Sequence, residues 1–200
     1  MQPDNTPFRL GFVTGATPDK WAARWRERHR RPLELVPVEE TDQARVLAED
    51  AVDMCLVRLP VTGDDLHVVR LYDEQPVVVV ADEHVVTAVD EVTLADLADE
   101  QLVTDPDLVP GWAATSTVER LDWPAMTPRE AVEVAASGAG VAILPLSVAR
   151  LLHRKDAAHR PVVDLAPTTV ALAWKRDRDD DWTQEMVGIA RGRTSRSSRR

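Results

Sequence analysis

Thr127–Pro145, TPREAVEVAASGAGVAILP, constrains the fold more than any other stretch, because it specifies a helix, both of its ends and a following strand in one run. Thr127 can accept from the backbone of the first turn, Pro128 suits the first helical position, and Glu130 completes a capping box. Ala131, Val132, Val134, Ala135 and Ala136 supply a wide apolar side, and Gly138 falls where a left-handed residue ends a helix. Val141–Leu144, bounded by glycine and Pro145, then reads as a strand buried on both faces, as in parallel sheets. The GAG does not make a dinucleotide fingerprint, which needs the strand before the glycines and the helix after them.

The same alternation runs through the rest of the chain. Phe8–Val13 predicts a strand that feeds through Thr14-Gly15-Ala16-Thr17 into a helix with Thr17 as its cap and Pro18 in its first turn. Trp21, Ala22 and Trp25 share one helical side until Pro32 forbids continuation. Leu33–Val38 predicts a second strand, Thr41 a cap for a helix with Ala44, Leu47, Ala48 and Ala51 in its stripe, and Met54–Val57 a third, buried strand. Strand, helix, strand, helix, strand is the βαβ pattern of a parallel sheet, whose ligand crevices lie at the carboxyl ends of the strands. Thr14, Thr17 and Arg58 fall at such ends. Further strands are expected at Leu66–Tyr72, Pro76–Ala81, Pro161–Leu165 and Thr169–Trp174. Helices are expected at Leu94–Ala98 and Leu146–Leu152, with a last one marked by Trp182, Met186 and Ile189.

Charge and side-chain chemistry narrow the function. The net charge is −10, yet the last ten residues carry five arginines and no acid, so the body stands at −15. An acidic body repels nucleic acid, which leaves the tail at 191–200, expected to be disordered, as the one candidate DNA contact. No run is long and apolar enough for a membrane span and no signal peptide is evident, which points to the cytoplasm. Cys55 is the single cysteine and sits among apolar neighbours, as a core residue does. No metal or other cofactor is expected, because the five histidines are scattered and none pairs at zinc-site spacing. Ser137 and Ser147 lack a nucleophile elbow, and no activated catalytic group emerges.

In order and spacing, five segments resemble the effector-binding domain of LysR-type transcriptional regulators. They are RLGF with its threonine loop, LAEDAVDMCLVRLP, LYDEQPVVVVADEHVV, VTLADLADEQLVT and EAVEVAASGAGVAILP. The resemblance spans about Phe8 to Arg191 and implies an α/β, two-lobed type 2 periplasmic-binding-protein-like fold with mixed, mostly parallel sheets. It implies lobe I at about 8–80 plus 164–190, a shortened lobe II at about 81–163, and a small-molecule effector held between them. Family ligand contacts map onto Thr14, Thr17, Arg58 and Thr104. Hydroxyls and helix-start amides can accept an anion, and an arginine can hold a carboxylate by two bonds. The plainer alternative makes the threonines caps and Arg58 a surface ion-pair partner. The family places a winged helix-turn-helix before this domain, whereas this chain begins at the first strand. The expectation is a stand-alone effector-binding module acting in transcriptional regulation, as a homodimer or with a full regulator. The alternatives are a ligand-free interaction protein using the dimer face and basic tail, and a small lyase on a binding-protein fold.

Overall fold

Residues 6–192 are described in the computed structural model, and they divide into two compact units, 6–73 with 169–192 and 74–168. The expected basic tail lies outside the described residues apart from Arg191 and Gly192. In chain order the elements are β1 (Phe8–Val13), α1 (Asp19–Arg28), β2 (Leu33–Val38), α2 (Gln43–Ala48), β3 (Met54–Arg58), β4 (Leu66–Glu74) and β5 (Pro76–Ala81). They continue as α3 (Trp112–Thr115), α4 (Pro128–Ala136), β6 (Ala142–Pro145), α5 (Leu146–Leu151), β7 (Ala157–Pro161), β8 (Thr168–Lys175) and α6 (Asp181–Ala190). No helix among the described residues is long and apolar enough to cross a membrane.

The first unit is built on a sheet of order β2-β1-β3-β8-β4. β1 runs parallel to β2 and β3, and the returning β8 is antiparallel to β3. Every residue of β3 is buried because helices cover both faces of the sheet. Met54 and Leu56 join Phe8, Leu10, Trp25, Met186 and Ile189 on the side of α1 and α6. Cys55 and Val57 join Val38, Leu47 and Val52 on the side of α2. Burial alone pushes the Cys55 thiol up to about 12. At pH 8 about one molecule in ten thousand then carries a thiolate, the reactive form. A disulfide reagent is therefore expected to label Cys55 only after urea unfolding; labelling of the native protein within minutes would contradict this packing.

In the second unit β5 is the middle of a three-stranded sheet of order β6-β5-β7 and is antiparallel to both neighbours. Its valines face two cores. Val78 and Val80 pack with Leu97, Leu102, Trp112, Val141 and Ile143, while Val77 and Val79 pack with Ala131, Ala135, Leu144 and Val148. The strand predicted from Val141–Leu144 therefore exists, but its ladder with β5 is antiparallel. Its parallel partner is a single bridge between Leu102 and Val141.

The helix of Thr127–Pro145 forms as its sequence requires. The Thr127 hydroxyl accepts from the Glu130 backbone N–H at 3.3 Å, and Glu130 accepts from the Thr127 N–H at 2.8 Å. The N–H and hydroxyl of Thr127 hold the Glu130 carboxyl below its usual range. Gly138 ends the helix at φ 77°. Gly140 has a different role: a Cβ there would lie 2.4 Å from the Gln101 carbonyl oxygen.

Four local expectations are corrected. Thr17 is not a cap, because Pro18 itself takes the position before α1 and no side chain caps that helix. Thr41 lies inside a 3-10 turn, Glu40–Asp42, so it stands one residue too early to cap α2, whose preceding position is Asp42. The helix expected at Leu94–Ala98 is a 3-10 turn over Ala95–Leu97, with Asp96 accepting from the Thr93 N–H at 2.8 Å. The strand expected at Pro161–Leu165 is β7, Ala157–Pro161, an edge strand whose AAHRP sequence carries no continuous apolar run.

Candidate ligand-binding site

Parallel pairing of β1 with β3 brings the loop after β1 beside the end of β3. That loop turns at once, the Ala16 N–H donating to the Val13 carbonyl at 3.0 Å with Gly15 at φ 89°. Thr14 is half-buried and Thr17 exposed, just before the first turn of α1. The first N–H groups of a helix have no carbonyl upstream and face whatever lies before it.

Arg58, the last residue of β3, is buried, with only 2% of its side chain exposed. Its guanidinium donates to Glu40 Oε2 at 2.6 Å and to the Thr14 carbonyl at 3.3 Å. The backbone of Arg58 is held as well: its N–H donates to Gln43 Oε1 at 2.9 Å, and Gln43 Nε2 donates to its carbonyl at 2.8 Å. The amide of Gln43, itself buried, thus closes a two-bond clasp between the start of α2 and the end of β3. Glu40 remains 46% exposed, so it holds a buried charge from the solvent side. Such a half-exposed pair is screened, and its net contribution falls toward that of a surface ion pair, about 1 kcal/mol or less.

The sequence reading placed Thr14, Thr17 and Arg58 correctly at strand ends but missed Glu40 and Gln43. Their signal was available only in part. An acid and an amide three apart at a helix start read as capping residues, and their approach to Arg58 depends on α2 packing against β3.

Thr104 belongs to the second unit. It follows Leu102 and Val103, which run beside Val141 through the bond from Val103 N to the Val141 carbonyl at 2.9 Å. The Thr104 hydroxyl accepts from the Ile143 N–H at 3.3 Å. Arg120, from the loop before α4, donates to the carbonyls of Leu102 at 2.9 Å and of Val103 and Thr104 at 3.4 Å each. Sequence reasoning passed over Arg120, since nothing around it in the chain is periodic. Among the described residues no group of three His, Cys, Asp or Glu side chains is arranged to hold a metal ion.

The sequence profile of the LysR substrate binding domain matches residues 2–193. The chain belongs to the LysR substrate-binding domain family. None of the curated proteins matches it. Solved structures do. The effector-binding domain of a BenM variant aligns with a TM-score of 0.80 at 18% identity, covering 98% of this chain and 97% of that one. The BenM effector-binding domain with its effector benzoate gives 0.77 at 19% identity, covering 96% and 94%. An OxyR mutant of Corynebacterium glutamicum gives 0.74 at 19%, covering 95% and 65%. At such identities the likeness is one of fold: the LysR domain here has the α/β, type 2 periplasmic-binding-protein-like fold with mixed sheets.

Proposed function

We propose that this LysR substrate-binding domain is a non-catalytic sensor in the cytoplasm that binds a small anionic metabolite. It acts in transcriptional regulation through a partner, as a homodimer or beside a full regulator. The proposed contacts are Thr14, Thr17 and Arg58 in the first unit and Thr104 in the second. One observation carries the reading: the Arg58 guanidinium already holds a carboxylate, that of Glu40, at 2.6 Å. A position that accommodates one carboxylate by a charge-assisted bond accommodates another, and Glu40 can turn into water when a ligand takes its place.

The test is calorimetric titration and thermal shift with a panel of small carboxylates, benzoate among them because it is the effector of BenM. A ligand at 100 times its dissociation constant is expected to add about 2.7 kcal/mol of stability. Glu40→Gln removes the internal competitor and is expected to tighten carboxylate binding by about tenfold, the equivalent of one charged hydrogen bond. Arg58→Gln is expected to weaken it.

The same ion pair supports a second reading, in which Glu40 fills the arginine permanently and the domain works by partner contact alone. Stable association with a partner, together with no carboxylate binding by either the wild type or Glu40→Gln, would favour that reading and remove the first.

A further inference from the structure

A pocket in the second unit lies where α5 turns back into β7. Its walls are Val79 of β5, Val132 of α4 and Ala149 of α5, and His153, Arg154 and His159 stand around them. Its volume, open mouth included, is about 220 Å³. Drug-sized sites run to roughly 300–1,000 Å³, so only a small ligand fits. Register places His159 there: it pairs with Val79 across β5 and β7, and directly opposed residues share a face of the sheet. That face is otherwise apolar, with Val77, Val79 and partly buried Ala157 packed against α4 and α5.

The charge around this opening is one-sided. Burial first, and then the positive charges of Arg150, Arg160 and His153, hold the His159 imidazole below its usual range, and no carboxylate acts on it. Among the described residues neither ring nitrogen of His159 is bonded, and Arg150 makes no ion pair. The nearby acids are engaged with Arg154: Asp156 takes it by two bonds, at 2.8 and 2.7 Å, and Glu133 of α4 acts on the same guanidinium. Asp82, past the end of β5, meets the turn through its backbone N–H, which donates to the Asp156 carbonyl at 3.2 Å. Lys155 adds a further cation in that turn. The helix dipole accounts for Arg150 in the last turn of α5. It does not account for an unbonded imidazole on a strand, within an apolar face. A bound anion supplies what that ring lacks, an acceptor for its N–H and a charge opposite to the cations around it.

We infer that this pocket is a second ligand site, which takes the carboxylate of a small organic acid. The His159 imidazolium donates a charged hydrogen bond to the carboxylate, Arg150 adds to the field, and Val79, Val132 and Ala149 receive the apolar body. None of Thr14, Thr17, Arg58 and Thr104 lines it, so it stands independently of the contacts proposed above. Because the anion favours the protonated ring, binding takes up a proton, and affinity rises as pH falls through the histidine range.

The probes are sodium acetate and sodium benzoate, two carboxylates of different size, with sodium chloride at equal ionic strength as the control for screening. The readout is the His159 ring resonances of the wild type, assigned by their loss in His159→Gln. The better probe is expected to raise the His159 titration midpoint above its value in chloride. It is expected to bind about tenfold more tightly at about pH 5.5 than at about pH 8, the equivalent of one charged hydrogen bond gained on protonation. In Arg150→Gln the same resonances are expected to need several times more probe. A midpoint that neither probe moves beyond chloride at about 100 mM, a hundredfold excess over a millimolar dissociation constant, overturns the inference. So does equal affinity at the two pH values. Both results leave the effector site proposed around Arg58 untouched.

Discussion

Trp25→Ala is expected to lower the free energy of unfolding by about 3–5 kcal/mol, the range for removing a large buried aromatic side chain. Trp25 is fully buried in the middle of α1. It stacks on Phe8 of β1 with centroids 5.0 Å apart and lies 5.6 Å from the Trp182 ring of α6. Its indole N–H donates to the Arg31 carbonyl at 2.8 Å, fastening the turn that leads into β2. The Arg31 guanidinium in turn covers both Phe8 and Trp182, at 5.5 and 5.2 Å from their centroids. Truncation at this one position removes apolar contact between sheet, α1 and α6 and takes the indole donor from the carbonyl of half-buried Arg31. Trp25→Phe keeps the stack on Phe8 and is expected to cost less than the alanine variant. Urea denaturation followed by far-UV circular dichroism measures both; a loss below about 1 kcal/mol for alanine would show that α1 is not anchored through this residue.

Gly140→Ala is the second large effect, expected at about 3 kcal/mol, the upper part of the range for overpacking. The added Cβ would lie 2.4 Å from the Gln101 carbonyl oxygen and 2.9 Å from a Val103 methyl. That oxygen cannot withdraw freely, because it accepts the Val141 N–H at 2.8 Å. The backbone must therefore shift at the bridge that sets Leu102–Thr104 beside Val141–Ile143. Gly138→Ala, two residues away, makes the comparison sharp. Gly138 sits at φ 77° with open space around it, so alanine meets only the left-handed backbone penalty, about 1–2 kcal/mol. Equal midpoints for the two variants, or a larger loss at Gly138, would refute the close-approach argument. Because Thr104 lies on the displaced segment, Gly140→Ala is also expected to weaken anion binding at the proposed site, whereas Gly138→Ala leaves it near the wild-type level.

These two glycines show how far local pattern reaches. Gly138 was legible because a helix end has a local cause: a left-handed residue after an apolar stripe. Gly140 belongs to the same short motif, yet its requirement comes from Gln101, distant in sequence, and no spacing rule contains that contact. Asp180 obeys the same kind of local rule. It accepts from the Trp182 and Thr183 N–H groups at 2.8 and 2.9 Å, the solvated helix start that an acidic run before an amphipathic stretch announces. Thr17 and Thr41 show the failure of the same rule, since one residue of offset in a helix start removes a side-chain cap.

At the candidate site the division is similar. That Thr14, Thr17 and Arg58 stand at carboxyl ends of strands follows from βαβ order, and α2 brings Glu40 and Gln43 to Arg58 only through packing. Whether an arginine is free to bind an anion depends on which carboxylate the fold has put within 3 Å of it, and that is a property of three dimensions. By itself the sequence determined most of the elements, the glycine-ended helix and the strand ends where ligands are to be sought, because each rests on periodicity or capping within a few residues, and the order and spacing of five segments carried the family. Only the tertiary structure decided that Arg58 is already paired, that β6 runs antiparallel to β5 and that Arg120 bonds the carbonyls of Leu102, Val103 and Thr104, because each depends on contacts between segments far apart in the chain.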